Sequence, residues 1–297
     1  MTTITSVLPV QESGFKAFAK RHPLTAYFAL AFALTWVLLI PIMLSQMGLG
    51  IINLPEPLLF VLFLLSTYSG PLPAALIMTT LIDGRAGRQQ LLRRMFQWRV
   101  GLRWYLLVLV GYPLIFLIGL TAYSGAAPWI ALSQNWSLLL SFYLPMAAVG
   151  IIFPSLGEEP GWRGFALPRL QQLYGPLAGT LILGALHGLW HLPVYFIPGS
   201  ILDGPFNLTA FAANTGLLIA MTVIWTWLFN NVGQSVFFAM FVHGVSNATS
   251  GLIPQFWTDT TGDPWSSFKI VAVFALLLIL VTRGRLGYRA PDQTKDV

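Results

Sequence analysis

Eight apolar stretches, each long enough to cross a bilayer as a helix, limit what this chain of 297 residues can fold into. A helix needs about 20 apolar residues to span the hydrocarbon core, and it satisfies its backbone hydrogen bonds internally. The sequence is 56% hydrophobic and only 9% charged, which leaves too few polar groups to cover a water-exposed surface. We therefore predict an all-α fold, a polytopic helical bundle that forms one membrane domain over 1–297. The predicted spans lie near 24–46, 57–82, 104–123, 136–157, 176–197, 208–230, 233–253 and 266–282.

The positions of the basic residues predict how these spans are oriented. Nearly all of the 16 Lys and Arg lie in or beside the polar tails 1–22 and 284–297, or in the segments 83–103 and 158–175. Eight spans put these four regions on one side of the membrane and leave only Lys269 on the other. Because cytoplasmic segments carry an excess of Lys and Arg, both tails are predicted to be cytoplasmic.

The segment 86–99 has apolar residues between its arginines. Such a pattern is typical of an amphipathic helix that lies on a membrane surface. An ordinary basic loop fits the same composition, and both interpretations stay open at this point. The apolar residues in question are Leu91, Leu92, Met95 and Phe96.

Two ionisable residues inside the apolar spans are predicted to face each other. Such residues are costly in a membrane and usually functional. Glu158 ends the fourth span and His191 lies in the fifth, each about 16 residues from a predicted turn at Gly175. At about 1.5 Å rise per residue, both lie roughly 24 Å from that turn. If the fourth helix continues, kinked near Pro160, Glu158 and His191 are level across an antiparallel hairpin.

Two other pairs are four residues apart, which puts each pair on one face of a helix. His243 and Asn247 form one pair on the seventh span. Glu159 and Arg163 form the second and are spaced for an ion pair. Because Glu158 and Glu159 are adjacent, only one of them can point into a shared site.

A carboxylate beside imidazoles in a dry cavity can activate water as a general base. A second imidazole and an amide can then donate hydrogen bonds to an oxyanion. Alternatively, His191 and His243 could hold a divalent metal such as zinc, with the carboxylate as ligand or base. Both arrangements fit amide hydrolysis. No serine with a paired base stands out, and the chain has no cysteine, which excludes thiol chemistry and Cys-bound zinc.

Three motifs in these spans resemble those of the CPBP intramembrane proteases, the family of CAAX prenyl endopeptidases and of bacteriocin-processing, Abi-like self-immunity proteins. The EExxxR motif is present from Glu158 to Arg163, within GEEPGWRGFALPRLQ. The second motif ends at His191, and HxxxN is present from His243 to Asn247. The resemblance covers about 155–250, and the other spans match only in general character.

The resemblance implies endoproteolysis at or in the membrane by core helices within 136–253. It implies that Glu158 activates water, that Glu159 and Arg163 support the site, and that Asn247 stabilises the oxyanion. His191 and His243 would flank the water or a metal. Position 187 departs from the pattern, because it is His where the family usually has an aromatic residue. His187 is four residues before His191 and is either a harmless variant that packs between helices or a third histidine near the site. Packing is the favoured interpretation, so His187 is left outside the predicted site.

Two other functions remain open on the sequence. One is a non-catalytic immunity or scaffold protein, and the other is a proton-coupled transporter that uses Glu158 and the histidines as a relay. The expected partners are membrane lipid and a membrane-associated peptide or protein, and no nucleic acid is expected. The motif style favours the inner membrane of a bacterial cell.

Overall fold

The protein is described by a computed structural model over residues 14–198, 206–256 and 263–290. The described residues form helices and no β-strands apart from an isolated bridge, so the predicted all-α fold is confirmed. The α-helices are α1 Phe15–Arg21, α2 Pro23–Leu44, α3 Glu56–Ser69, α4 Pro71–Met95, α5 Leu102–Ser124, α6 Ala127–Gln134, α7 Leu144–Ile152, α8 Ser155–Glu159, α9 Leu167–Tyr174, α10 Pro176–Trp190, α11 Leu208–Asn231, α12 Val236–Phe256 and α13 Ser266–Thr282.

The described part of the chain holds seven helical stretches that are long and apolar enough to cross a membrane. An eighth apolar helix, Ser266–Thr282, is shorter, with 17 residues. The prediction of about eight spans in a polytopic membrane protein is therefore confirmed. Two stretches are compound: Glu56–Met95 contains α3 and α4, and Leu139–Tyr174 contains α7, α8 and α9.

The fourth predicted span is broken more often than the sequence indicated. We predicted one kink near Pro160. The structure instead ends α7 at Ile152, before Phe153, whose backbone is extended, and then continues through α8 into a π-helical segment, Pro160–Ala166. Proline has no N–H to donate to the preceding turn, and π-helical turns inside α-helices are frequent at functional sites. The predicted turn is confirmed: α9 ends at Tyr174, and Gly175 has a positive φ of 80°.

The basic segment 86–99 is helical through Met95, so the helix interpretation is correct over that part and the loop interpretation is not. Gly84, with φ 67° and ψ −155°, separates this final part of α4 from the rest. Leu91 and Met95 are buried against the protein core. Arg94 donates hydrogen bonds to the carbonyls of Gln234 (2.9 Å) and Gly164 (3.2 Å). The segment therefore holds the π-helical segment in place.

Two glycines bring α7 and α12 into direct backbone contact. A Cβ on Gly150 would lie 2.6 Å from the Cα of Gly244, and a Cβ on Gly244 would lie 2.8 Å from the carbonyl oxygen of Ala147. Helix interfaces in membranes use small residues for such close approach. Gly244 directly follows His243, so this crossing fixes the position of one predicted site residue.

We expect Gly244→Ala to lower the free energy of unfolding in detergent by about 1–3 kcal/mol, because an added methyl group must push the two backbones apart. Gly111→Ala is the matched control. A Cβ there meets only Leu107, at 3.8 Å, so no loss of stability is expected. Equal thermal unfolding midpoints for the two variants would contradict the importance of the glycine crossing.

Candidate functional site

A cavity of about 650 Å³ lies between α2, α3, α8, α10, α11 and α12. One part of its wall is apolar, and another part carries the predicted carboxylate, imidazole and amide groups. The apolar wall includes Leu39, Phe63, Val194, Leu217 and Met221, and the polar groups are Glu158, His187, His191, His243 and Asn247.

Glu158 is 4% exposed and lies on α8 at the wall of this cavity. Its Oε2 atom is 2.9 Å from Nε2 of His187 and accepts a second, longer hydrogen bond of 3.3 Å from Nε1 of Trp162. One oxygen of the carboxylate is thus held by two side chains. A buried carboxylate with such partners is a candidate proton acceptor for chemistry in the cavity.

His191 lies at the C-terminal end of α10, and its Nδ1 is 3.0 Å from the carbonyl oxygen of His187. A carbonyl only accepts hydrogen bonds, so Nδ1 donates. In the neutral ring, Nε2 then carries a lone pair. The predicted proximity of Glu158 and His191 is confirmed, because their ligand atoms lie within 4.8 Å of each other.

Glu159 is fully buried and contacts two side chains through one oxygen. Nη1 of Arg163 is 2.9 Å from Oε1, and Nδ1 of His243 is 2.8 Å from the same atom. The predicted ion pair with Arg163 is confirmed. The bond to His243 was not predicted, since it joins residues 84 positions apart. It fixes the ring of His243, with Nε2 left as the other nitrogen.

Arg163 has no exposed surface, and its charge is paired with the carboxylate of Glu159. Apart from Glu159, it donates to Oγ1 of Thr222 at 3.4 Å and stacks over the ring of Trp225, 4.5 Å from the centroid. Both residues belong to α11. Glu159 and Arg163 therefore link α8 and the π-helical segment to α11 and α12.

Asn247 and His243 line the same cavity, as their spacing on one helical face predicted. Asn247 is exposed, whereas His243 is 6% exposed. The exposed lining residues that flank the opening are Phe63, Phe153, Asn247 and Ser250. The amide thus lies on the open side of the site, where a ligand could contact it.

The interpretation of His187 as a packing residue outside the site is wrong. It is 1% exposed and makes the shortest hydrogen bond to Glu158. The i, i+4 spacing with His191 was the available signal. It carried little weight, because spacing along one helix does not reveal which neighbouring helix a side chain meets.

Glu158, His187 and His191 form a group that could hold a metal ion, since their ligand atoms all lie within 4.8 Å of one another. This differs from the predicted metal pair, His191 and His243. His243 lies outside this group and is bonded to Glu159 instead.

Fold and site together define a polytopic membrane protein with a buried carboxylate–imidazole centre. Residues 140–249 match the family model described as "Type II CAAX prenyl endopeptidase Rce1-like". A similar curated protein is CAAX prenyl protease 2 of Methanococcus maripaludis, 25% identical over 206 residues that cover 63% of this chain and 75% of that protein. These matches support the resemblance to the CPBP proteases that the motifs indicated. The matched region contains all six predicted site residues.

We expect Arg163→Ala to lower the free energy of unfolding by about 3–5 kcal/mol, because it leaves the carboxylate of Glu159 buried and without its cation. Lys269→Ala is the control, since it breaks an ion pair with Asp263 in which the lysine is 57% exposed; no measurable change is expected there. Thermal unfolding in detergent compares the variants. If both match the wild type, the buried pair does not stabilise the fold.

Proposed function

We propose that the protein is an intramembrane endopeptidase that cleaves membrane-associated or prenylated peptides with a water molecule activated by Glu158. The observation that carries this proposal is the placement of Glu158. Its carboxylate is buried at the wall of a large cavity and lies beside imidazoles that are themselves held by hydrogen bonds. The match of residues 140–249 to a protease family model supports the same reaction class.

The proposed reaction begins with a water molecule between Glu158 and His191. Oε2 of Glu158 is occupied by its two donors, so Oε1 accepts a proton from this water. Nε2 of His191 accepts a hydrogen bond from the water's other O–H, which stays intact, and so orients the water. The water oxygen attacks the peptide carbonyl carbon, and Glu158 then passes its proton to the leaving nitrogen as the C–N bond breaks.

The developing oxyanion needs hydrogen-bond donors in the same cavity. His243 and Asn247 lie one helical turn apart there. Nδ1 of His243 donates to Glu159, so this ring can donate to the oxyanion from Nε2 only when it is protonated. The side-chain amide of Asn247 supplies N–H donors without a change of protonation. Preorganised donors of this kind account for a large share of rate enhancement in acyl transfer.

The cavity favours an apolar substrate. Leu39, Phe63, Val194 and Met221 present hydrocarbon to the same space that holds the catalytic groups. A peptide with an attached isoprenoid, the type of substrate that the name of the Methanococcus maripaludis relative describes, could bury its lipid against this wall. An unmodified apolar peptide could do so too, and the site itself does not distinguish them.

A metal ion fits this site in the types of its ligands but not in their hydrogen bonds. Two imidazoles and a carboxylate with an open position are the usual catalytic zinc set. Histidine ligands, however, almost always donate their other N–H to an acceptor. His191 does so, whereas Nδ1 of His187 is buried without an acceptor among the described residues. We therefore propose direct activation of water by Glu158.

The placement of the basic residues supports an orientation with both termini cytoplasmic. The arginines of α4 and the polar end of α9 belong to segments that the charge distribution assigns to that side. An inner-membrane location in a bacterial cell is part of the same proposal.

The proposed base is tested with Glu158→Gln and Glu158→Ala in purified, detergent-solubilised protein, using a panel of prenylated and unmodified fluorogenic peptides. We expect the rate of cleavage to fall by about 10²–10⁴-fold with an unchanged unfolding midpoint. Glu56→Gln, an exposed carboxylate at the start of α3, is the matched control and should cleave like the wild type.

Full cleavage by Glu158→Ala would reject the assignment of the base. The two alternative functions give other results. A proton-coupled transporter would show substrate flux that Glu158→Gln blocks and no cleaved peptide. A scaffold protein would keep its function when Glu158 and His191 are both replaced by Ala.

The metal question has its own test. We expect cleavage to persist after exhaustive dialysis against a chelator, because the hydrogen bond between His187 and Glu158 occupies a nitrogen that a metal would need. Elemental analysis of the same sample checks that metal has been removed. Loss of cleavage that added Zn²⁺ restores would contradict direct activation.

A further inference from the structure

We propose that His187 is a positioning residue for catalysis: its Nε2–H holds Oε2 of Glu158, so that Oε1 is the oxygen that meets the reacting water. This inference rests on the proposed function and deepens it. It assigns a role to a histidine that stands where the family motif usually has an aromatic residue.

The contact with Glu158 determines the tautomer of His187. An ionised carboxylate only accepts hydrogen bonds, so the 2.9 Å contact requires the proton on Nε2. The opposite tautomer would put a lone pair against the carboxylate. It would also leave a buried N–H without an acceptor, because Nδ1 has no partner in the described part of the chain. Leaving a buried donor unpaired is expensive. The neutral ring with its proton on Nε2 avoids both penalties.

Two hydrogen-bond donors fix the rotation of the Glu158 carboxylate. His187 and Trp162 both donate to Oε2 of Glu158, at 2.9 and 3.3 Å. Two donors on one oxygen fix the plane of the group and leave Oε1 without these partners. The rings of the two donors also pack on each other, with centroids 5.1 Å apart. These contacts therefore determine that Oε1 is the oxygen that faces the reacting water, before any substrate binds.

A close contact between α10 and α11 holds His187 in place. A Cβ on Gly184 would lie 2.7 Å from the Cα of Ile219, and one on Gly188 would lie 2.6 Å from Cγ2 of Thr215. These two glycines press α10 tightly against α11 on either side of His187. Catalytic groups need supporting residues that hold their geometry within about 0.5 Å, and this close crossing provides such support.

Residue 187 acts on the site in two separable ways. Its side chain donates to Glu158, and its backbone carbonyl accepts from Nδ1 of His191. A substitution that lacks a side-chain donor removes the first contact and keeps the second. A change in activity can therefore be assigned to the carboxylate rather than to the neighbouring imidazole.

The test compares His187→Phe with His187→Gln, using the fluorogenic peptide that the wild type cleaves fastest. Phe has the ring character that the family accommodates but no donor, whereas the side-chain amide of Gln can place an N–H near the position of Nε2. We expect kcat of His187→Phe to fall about ten- to a hundredfold with KM changed by less than about twofold. His187→Gln should recover most of the lost kcat, with similar unfolding midpoints throughout.

A second pair keeps the test decisive if His187→Phe does not fold. The amide of His187→Asn is too short to reach Oε2, so His187→Asn should be as slow as the donor-free variant, while His187→Gln is not. A His187→Phe protein as active as the wild type would overturn the proposal. So would equal kcat values for the Gln and Asn variants, or the loss of a stoichiometric divalent ion from His187→Phe, which would make His187 a metal ligand.

The parallel Glu158→Ala measurement separates this inference from the proposed function. If that variant still cleaves the peptide, the proposed base is wrong, and the role of His187 is wrong with it. If Glu158→Ala is inactive and His187→Phe is fully active, only the positioning role of His187 is wrong.

Discussion

The site depends on one buried ion pair, between Glu159 and Arg163. Neither side chain has exposed surface, and a buried carboxylate without its cation would be strongly destabilising. The pair cannot be loosened without cost, so every group bonded to it is held as well. Thr222 and Trp225 attach it to α11, and His243 attaches it to α12. Three elements distant in sequence thereby meet at a fixed geometry beside the cavity.

The two adjacent glutamates point in different directions and have different partners. Glu159 faces into the protein and holds Arg163 and His243, while Glu158 faces the cavity and is held by His187 and Trp162. A break at Phe153 before α8 and a π-helical segment after it set this short helix apart from a regular span. Arg94 donates a hydrogen bond to a carbonyl of that segment, the one of Gly164. Irregular backbone at this point is stabilised by side chains from other helices.

The features that the sequence predicted well are those that local spacing determines. Equal distances from the turn at Gly175 placed Glu158 near His191, and spacing of four residues paired Glu159 with Arg163. The missed features depend on how helices rotate against each other. The contact of His187 with Glu158 requires α10 to present that face to α8, and close glycine crossings such as those at Gly184 and Gly188 set this orientation. A periodic pattern contains no information about it.

A protease in a membrane has to bring water and an apolar substrate to the same carboxylate. The cavity meets this requirement because hydrocarbon from Leu39, Phe63 and Met221 lines the same space as the polar groups. Phe63 and Asn247 both line the cavity and are both exposed. A ligand that enters could therefore make an apolar contact with one and a polar contact with the other. The hydrogen bonds that hold Glu158 and His191 come from the protein itself. The geometry of the proposed base is therefore set by the protein, and water enters the proposed reaction as the reactant.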